Sequence, residues 1–190
     1  MKVKAEVFLL KITRTIFQDS EPGYESVERM PKFILILDME EQAELSTADI
    51  SDLPVKMEMA LPGIFPNENS QFVHSCGGCG CDEEHPLREE IERGTNIPHL
   101  FEHVLLHLLS RRQFPCSAYC GQRSVDIERG ISTIYYLVMD YPSKLEAIVA
   151  ADLGFKLISA WIEGNEFTLD PAVVLADIND TIEPMINHAA

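Results

Sequence analysis

No long hydrophobic run occurs in this sequence: the longest unbroken apolar stretch is Ile134–Met139, against the roughly 20 residues a membrane span needs. The N-terminus also lacks the apolar stretch of a signal peptide, because charged and apolar residues alternate there. The expectation is a soluble, cytoplasmic protein with no membrane partner. Positive charge is scarce, with 15 Lys and Arg against 31 Asp and Glu and a formal net charge of -16. Such a surface repels phosphate backbones, which argues against nucleic acid as a partner. The acidity either serves solubility alone or suits a cationic, Arg-rich ligand. Five cysteines, an odd number, exclude a fully paired disulfide framework and point to reduced thiols or metal ligands. Internal repeats and low-complexity tracts are absent as well.

What is present suits one core. A chain of 190 residues, 46% of them hydrophobic, buries roughly 70% of its unfolded surface on folding. We expect an α+β domain over residues 1–165 and a helical extension over 166–190. Strand periodicity marks Lys2–Thr13, Lys32–Met39, Val55–Leu61 and Ile131–Tyr141, with a polar hairpin loop between the first two. Helices are expected over Leu87–Arg93, Asn96–Arg112, Ser143–Glu163 and Pro171–Asn187. The strands form a mainly antiparallel sheet with helices packed on it, the second of these helices lying against the sheet.

That helix carries the chemistry. His99-Leu100-Phe101-Glu102-His103 spells H-x-x-E-H, in which two imidazoles four apart share one helical face and Glu102 borders it. This spacing lets both rings hold one divalent metal, and zinc suits it: an open coordination position carries a water that Glu102, as base, deprotonates. Leu100, Phe101, Val104, Leu105, Leu106, Leu108 and Leu109 make the helix apolar almost all round, so its polar stripe needs a metal or hydrogen-bonding partners once buried. A hydrogen-bonded polar seam without metal meets the same need. His107 continues the stripe, about 12 Å from His99 along the helix axis, where it serves as a substrate contact or supports the ligands.

A third ligand must come from elsewhere. Glu146, at the start of the helix after the last strand, is the first candidate and Asp140 the second. Ser143-x-x-Glu146 also spells a capping box, so both readings of Glu146 stay open. Cys76, Cys79 and Cys81, with His85 nearby and Cys116 and Cys120 downstream, are candidates for a separate structural metal or are simply loop thiols.

Two resemblances meet at this helix. Gly94-Thr95-x-x-x-His99-x-x-Glu102-His103 resembles the site helix of pitrilysin-type inverzincin metallopeptidases, in which two histidines and a downstream glutamate hold zinc and the motif glutamate activates water. A longer likeness runs over most of residues 1–160. Leu35–Glu40, Leu61-Pro62-Gly63, Val73-His74-x-Cys76, Glu89–Thr95, His99–Leu108 and Tyr135–Tyr141, in this order, resemble the N-terminal domain of cyanophycin synthetases. Those enzymes build a branched Asp-Arg polymer with ATP-grasp and ligase domains, and nothing in this chain resembles either. The resemblance implies polymer binding and, as in some members, a metallopeptidase-like site that clips the polymer. His99 and His103 then become zinc ligands and Glu102 the base.

The function expected is therefore a zinc-dependent hydrolase of amide bonds in a peptide or Arg-containing, peptide-like polymer. A non-catalytic polymer-binding module of the same fold is the alternative. Either is compatible with an oligomer.

Overall fold

A computed structural model describes residues 11–18, 31–39, 45–65, 87–110, 116, 118–127 and 130–165. In chain order these give strands β1 (Lys11–Gln18) and β2 (Lys32–Asp38), a 3-10 turn (Thr47–Asp49), helices α1 (Leu53–Ala60), α2 (Leu87–Arg93) and α3 (Ile97–Ser110), strands β3 (Ala118–Ile127) and β4 (Gly130–Asp140), and helix α4 (Lys144–Ile162). The four strands form one sheet in the order β1-β2-β4-β3, every neighbouring pair antiparallel. The fold is α+β.

The register explains which face is apolar. Phe33, Leu35 and Leu37 of β2 stand opposite Met139, Leu137 and Tyr135 of β4, and β3 sets Ala118 and Cys120 against Met139 and Leu137. All eight are buried, so one face of the pleat is a continuous apolar surface. Helix α3 packs on it through β3 and β4, and α4 packs on α3. Ala147, Ala150, Ala151, Gly154, Leu157, Ile158 and Trp161 are the buried residues of α4, a stripe at helical spacing. Its small residues let the two helix backbones approach closely. Among the described residues no helix is long and apolar enough to cross a membrane.

Three expectations from the sequence change. Val55–Leu61 is not a strand but lies largely in α1. The alternation of Val55, Met57, Met59 and Leu61 is real in the letters, yet Leu53, Met57 and Ala60 are the buried residues of the helix, while Val55 and Met59 are 55% and 69% exposed. Pro54 lies in the first turn of α1, where a missing N–H does no harm and the fixed φ favours helix. The first strand agrees with its expected range at Lys11–Thr13 and runs on to Gln18, with an irregularity between Ile12 and Arg14 where Thr13 Oγ1 donates to the Ile36 carbonyl at 3.0 Å. Strand β3 was not expected at all. The Pro171–Asn187 helix, the 166–190 extension and the segment Lys2–Leu10 lie outside the described residues.

Gly154 is a point of close approach between α3 and α4. A Cβ there stands 2.7 Å from Phe101 Cε2 and 3.3 Å from both Leu105 and Val104, all fully buried. Gly→Ala in an open helix stabilises by about 1 kcal/mol. Gly154→Ala is expected to do the reverse and destabilise by about 1–3 kcal/mol through overpacking, read as a lower midpoint in thermal or urea denaturation. A raised midpoint contradicts this packing.

Candidate functional site

The 3-10 turn at Thr47 fixes how α2 meets α3. Thr47 N–H donates to the Thr95 carbonyl at 2.9 Å, Thr95 N–H donates to Thr47 Oγ1 at 2.8 Å, and that hydroxyl donates to the Ile91 carbonyl at 2.9 Å. Ser46 and Asn96 add an isolated antiparallel bridge. Between the helices Gly94 has φ +108°, and a Cβ there stands 2.6 Å from Ser46 Oγ, so both the backbone angle and the space call for glycine. Asn96 then caps α3, its Oδ1 accepting from His99 N–H at 2.9 Å, and Pro98 sits in the first turn where its ring is tolerated.

This arrangement brings His99, Glu102 and His103 to one buried stripe, as the i, i+3, i+4 spacing predicts. His99 and Glu102 are 2% and 0% exposed, and His103 is buried beside them. The two imidazoles face each other with Nε2 atoms 3.0 Å apart. Glu102 Oε2 lies 3.6 Å from His99 Nε2. On the other side of the His99 ring, Nδ1 lies 3.0 Å from Thr95 Oγ1 and 3.0 Å from Glu90 Oε1.

Glu90 is the residue that sequence reasoning missed. Glu90, His99 and His103 each offer a ligand atom within 4.8 Å of the others, and they are the group of three found among the described residues. The donor set suits a borderline cation such as zinc, which takes imidazole and carboxylate together. Two imidazole nitrogens on one tetrahedral zinc, each at about 2.0–2.1 Å, stand roughly 3.4 Å apart, so the His99 and His103 rings need open only slightly to share one ion. A signal for Glu90 existed. It sits three residues after Leu87 and one before Ile91, both buried, whereas its neighbours Glu89 and Glu92 face outward in i,i+4 pairs with Arg93 and Arg88.

The expected third ligands are engaged elsewhere. Ser143 caps α4: the Glu146 N–H donates to Ser143 Oγ at 3.2 Å, and that hydroxyl donates to Glu146 Oε2 at 3.0 Å. Glu146 is not in the Glu90–His99–His103 group. Asp140, fully buried at the end of β4, forms an ion pair with Lys32, its cross-strand partner on β2. His107 is buried and likewise outside the group. Cys76, Cys79 and Cys81, with His85, lie outside the described residues. Cys116 and Cys120 are buried, and burial first, then Cys120, pushes the phenol of Tyr135 above its ordinary range.

The sequence profile of the cyanophycin synthase-like N-terminal domain matches residues 34–163, from β2 to the end of α4. The chain belongs to this family. No significant match was found among curated proteins or among solved structures. In this cyanophycin synthase-like domain the matched region contains the Thr47 turn, α2 and all of α3, so every residue of the His99 cluster falls within it.

The buried Lys32–Asp140 pair yields a prediction. Lys32→Met leaves an uncompensated buried carboxylate and is expected to lower stability by about 3–5 kcal/mol, whereas Lys32→Met with Asp140→Leu removes both charges and recovers most of it. Denaturant titration measures both, and a double variant no more stable than Lys32→Met contradicts this reading of the pair.

Proposed function

We propose that this domain is a metal-dependent hydrolase of amide bonds in a peptide-like polymer, with zinc held by His99 and His103 and with Glu102 as the general base. The carrying observation is the convergence of the two Nε2 atoms at 3.0 Å with Glu102 beside them. Zinc, when bound, supplies Lewis acidity toward a substrate carbonyl. Glu102 comes from the turn of α3 between the two histidines, and in this reading its fully buried carboxylate takes a proton from the attacking water and delivers it to the leaving nitrogen. The burial that raises the electrostatic stakes at this carboxylate also keeps bulk water from competing with it.

Family membership supports a polymer-related substrate. A net charge of -16 favours a chain bearing cationic side chains, as the Arg of an Asp-Arg polymer provides. The spacing of the two histidines and glutamate, like that of inverzincin peptidases, supports hydrolysis. The depth of the cluster favours a second reading. With His99 2% and Glu102 0% exposed, the stripe also serves as a hydrogen-bonded seam in a non-catalytic polymer-binding module.

Metal content separates the two readings. Protein purified without chelator is expected to hold about one zinc per chain, lost in His103→Ala, and to shorten a synthetic Asp-Arg polymer. Glu102→Gln is expected to retain the zinc while hydrolysis falls about 10²–10⁴-fold, the usual contribution of a positioned base. Wild-type protein that stays metal-free after incubation with zinc, yet binds the polymer, overturns the hydrolase and leaves the binding module.

A further inference from the structure

We propose that Glu90 is a positioning residue for His99 and not a metal ligand: its carboxylate fixes the tautomer of His99 and thereby makes Nε2 the nitrogen that faces His103. The consequence for metal binding rests on the reading above. The tautomer itself does not, since it exists with or without an ion.

Glu90 meets His99 at one nitrogen: its Oε1 lies 3.0 Å from His99 Nδ1, while the two rings meet through Nε2. A Glu90 oxygen also comes within 4.8 Å of a His103 ligand atom. The two nitrogens of an imidazole point away from each other across the ring, so an oxygen bonded at Nδ1 does not also bond an ion held at Nε2 of that ring. A carboxylate oxygen only accepts, so Nδ1 carries the hydrogen. Thr95 Oγ1, also 3.0 Å from Nδ1, is a second oxygen on the same side. The competing carboxylate is Glu102, but its oxygen is 3.6 Å from Nε2, beyond normal hydrogen-bond length, and the 3.0 Å contact prevails. Neutral His99 is then bare at Nε2, and His103 donates its Nε2–H there in the metal-free protein.

This is the arrangement that readies a histidine for metal: a carboxylate on one nitrogen sets the ring angle and raises the basicity of the other. The fold holds Glu90 in that role. Leu87 and Ile91 bury the same face of α2, and the Thr47 hydroxyl ties the Ile91 carbonyl to the start of α3.

Long-range proton–nitrogen NMR on the full chain, labelled with ¹⁵N-histidine and stripped of metal, reads the tautomers directly. His99 is expected as the Nδ1–H form and His103 as the Nε2–H form. Glu90→Gln, whose amide oxygen still accepts, keeps the His99 form; Glu90→Leu abolishes its preference. In cobalt(II) titration Glu90→Leu is expected to bind about 10–100-fold more weakly, as removal of a supporting carboxylate does, and Glu90→Gln to leave the visible spectrum of the bound ion unchanged. His99 protonated at Nε2 in the wild type, or a cobalt spectrum altered by Glu90→Gln, overturns the proposal. A wild type with the expected tautomers that binds neither cobalt nor zinc upholds the positioning of His99 and removes the metal reading alone.

Discussion

A helix enclosed by protein on nearly every side has to satisfy its polar groups from within, and α3 carries His99, Glu102, His103 and His107 into that position. Each buried polar group left without a partner costs about 1–3 kcal/mol, and at His99 the surroundings of α3 supply partners. Glu90 and Thr95 meet one nitrogen of His99, His103 meets the other, and Asn96 takes the His99 backbone N–H. The apolar remainder of the helix, with Leu100, Phe101, Val104 and Leu105 fully buried, holds the stripe in place.

The geometry of that stripe depends on a turn far away in sequence. Thr47 hydrogen-bonds both sides of the α2–α3 junction, and the positive φ of Gly94 lets the chain pass against Ser46. Without this clamp α2 has no fixed relation to α3 and Glu90 no fixed distance from His99. The site is thus built from two segments, residues 46–49 and residues 90–103, tied by backbone hydrogen bonds. The sheet beneath supplies only a flat apolar floor.

How much of this the sequence disclosed varies with the kind of signal. Strands β2 and β4 and helices α2, α3 and α4 are legible because apolar spacing there agrees with burial. Helix α1 is misread because Val55 and Met59 are apolar yet exposed, which turns a helical burial pattern into a strand-like alternation; Pro54 carries the opposing signal. Strand β3 is hidden by Gly121, Gln122, Arg123 and Ser124, polar or small residues that an edge strand tolerates. Within the site, His99, Glu102 and His103 are legible because a helix converts their spacing into a shared face. Glu90 is not, since Glu89, Glu90 and Glu92 look alike until α2 is docked, and only the flanking Leu87 and Ile91 distinguish it.

We propose the Nε2 atoms of His99 and His103 as the heart of one cation site. Diffraction at the zinc absorption edge, from a crystal of the full chain soaked in zinc, tests this. The expected result is one anomalous peak at about 2.0–2.1 Å from both Nε2 atoms. A peak confined to the segment containing Cys76, Cys79 and Cys81, or no peak against α3, contradicts it.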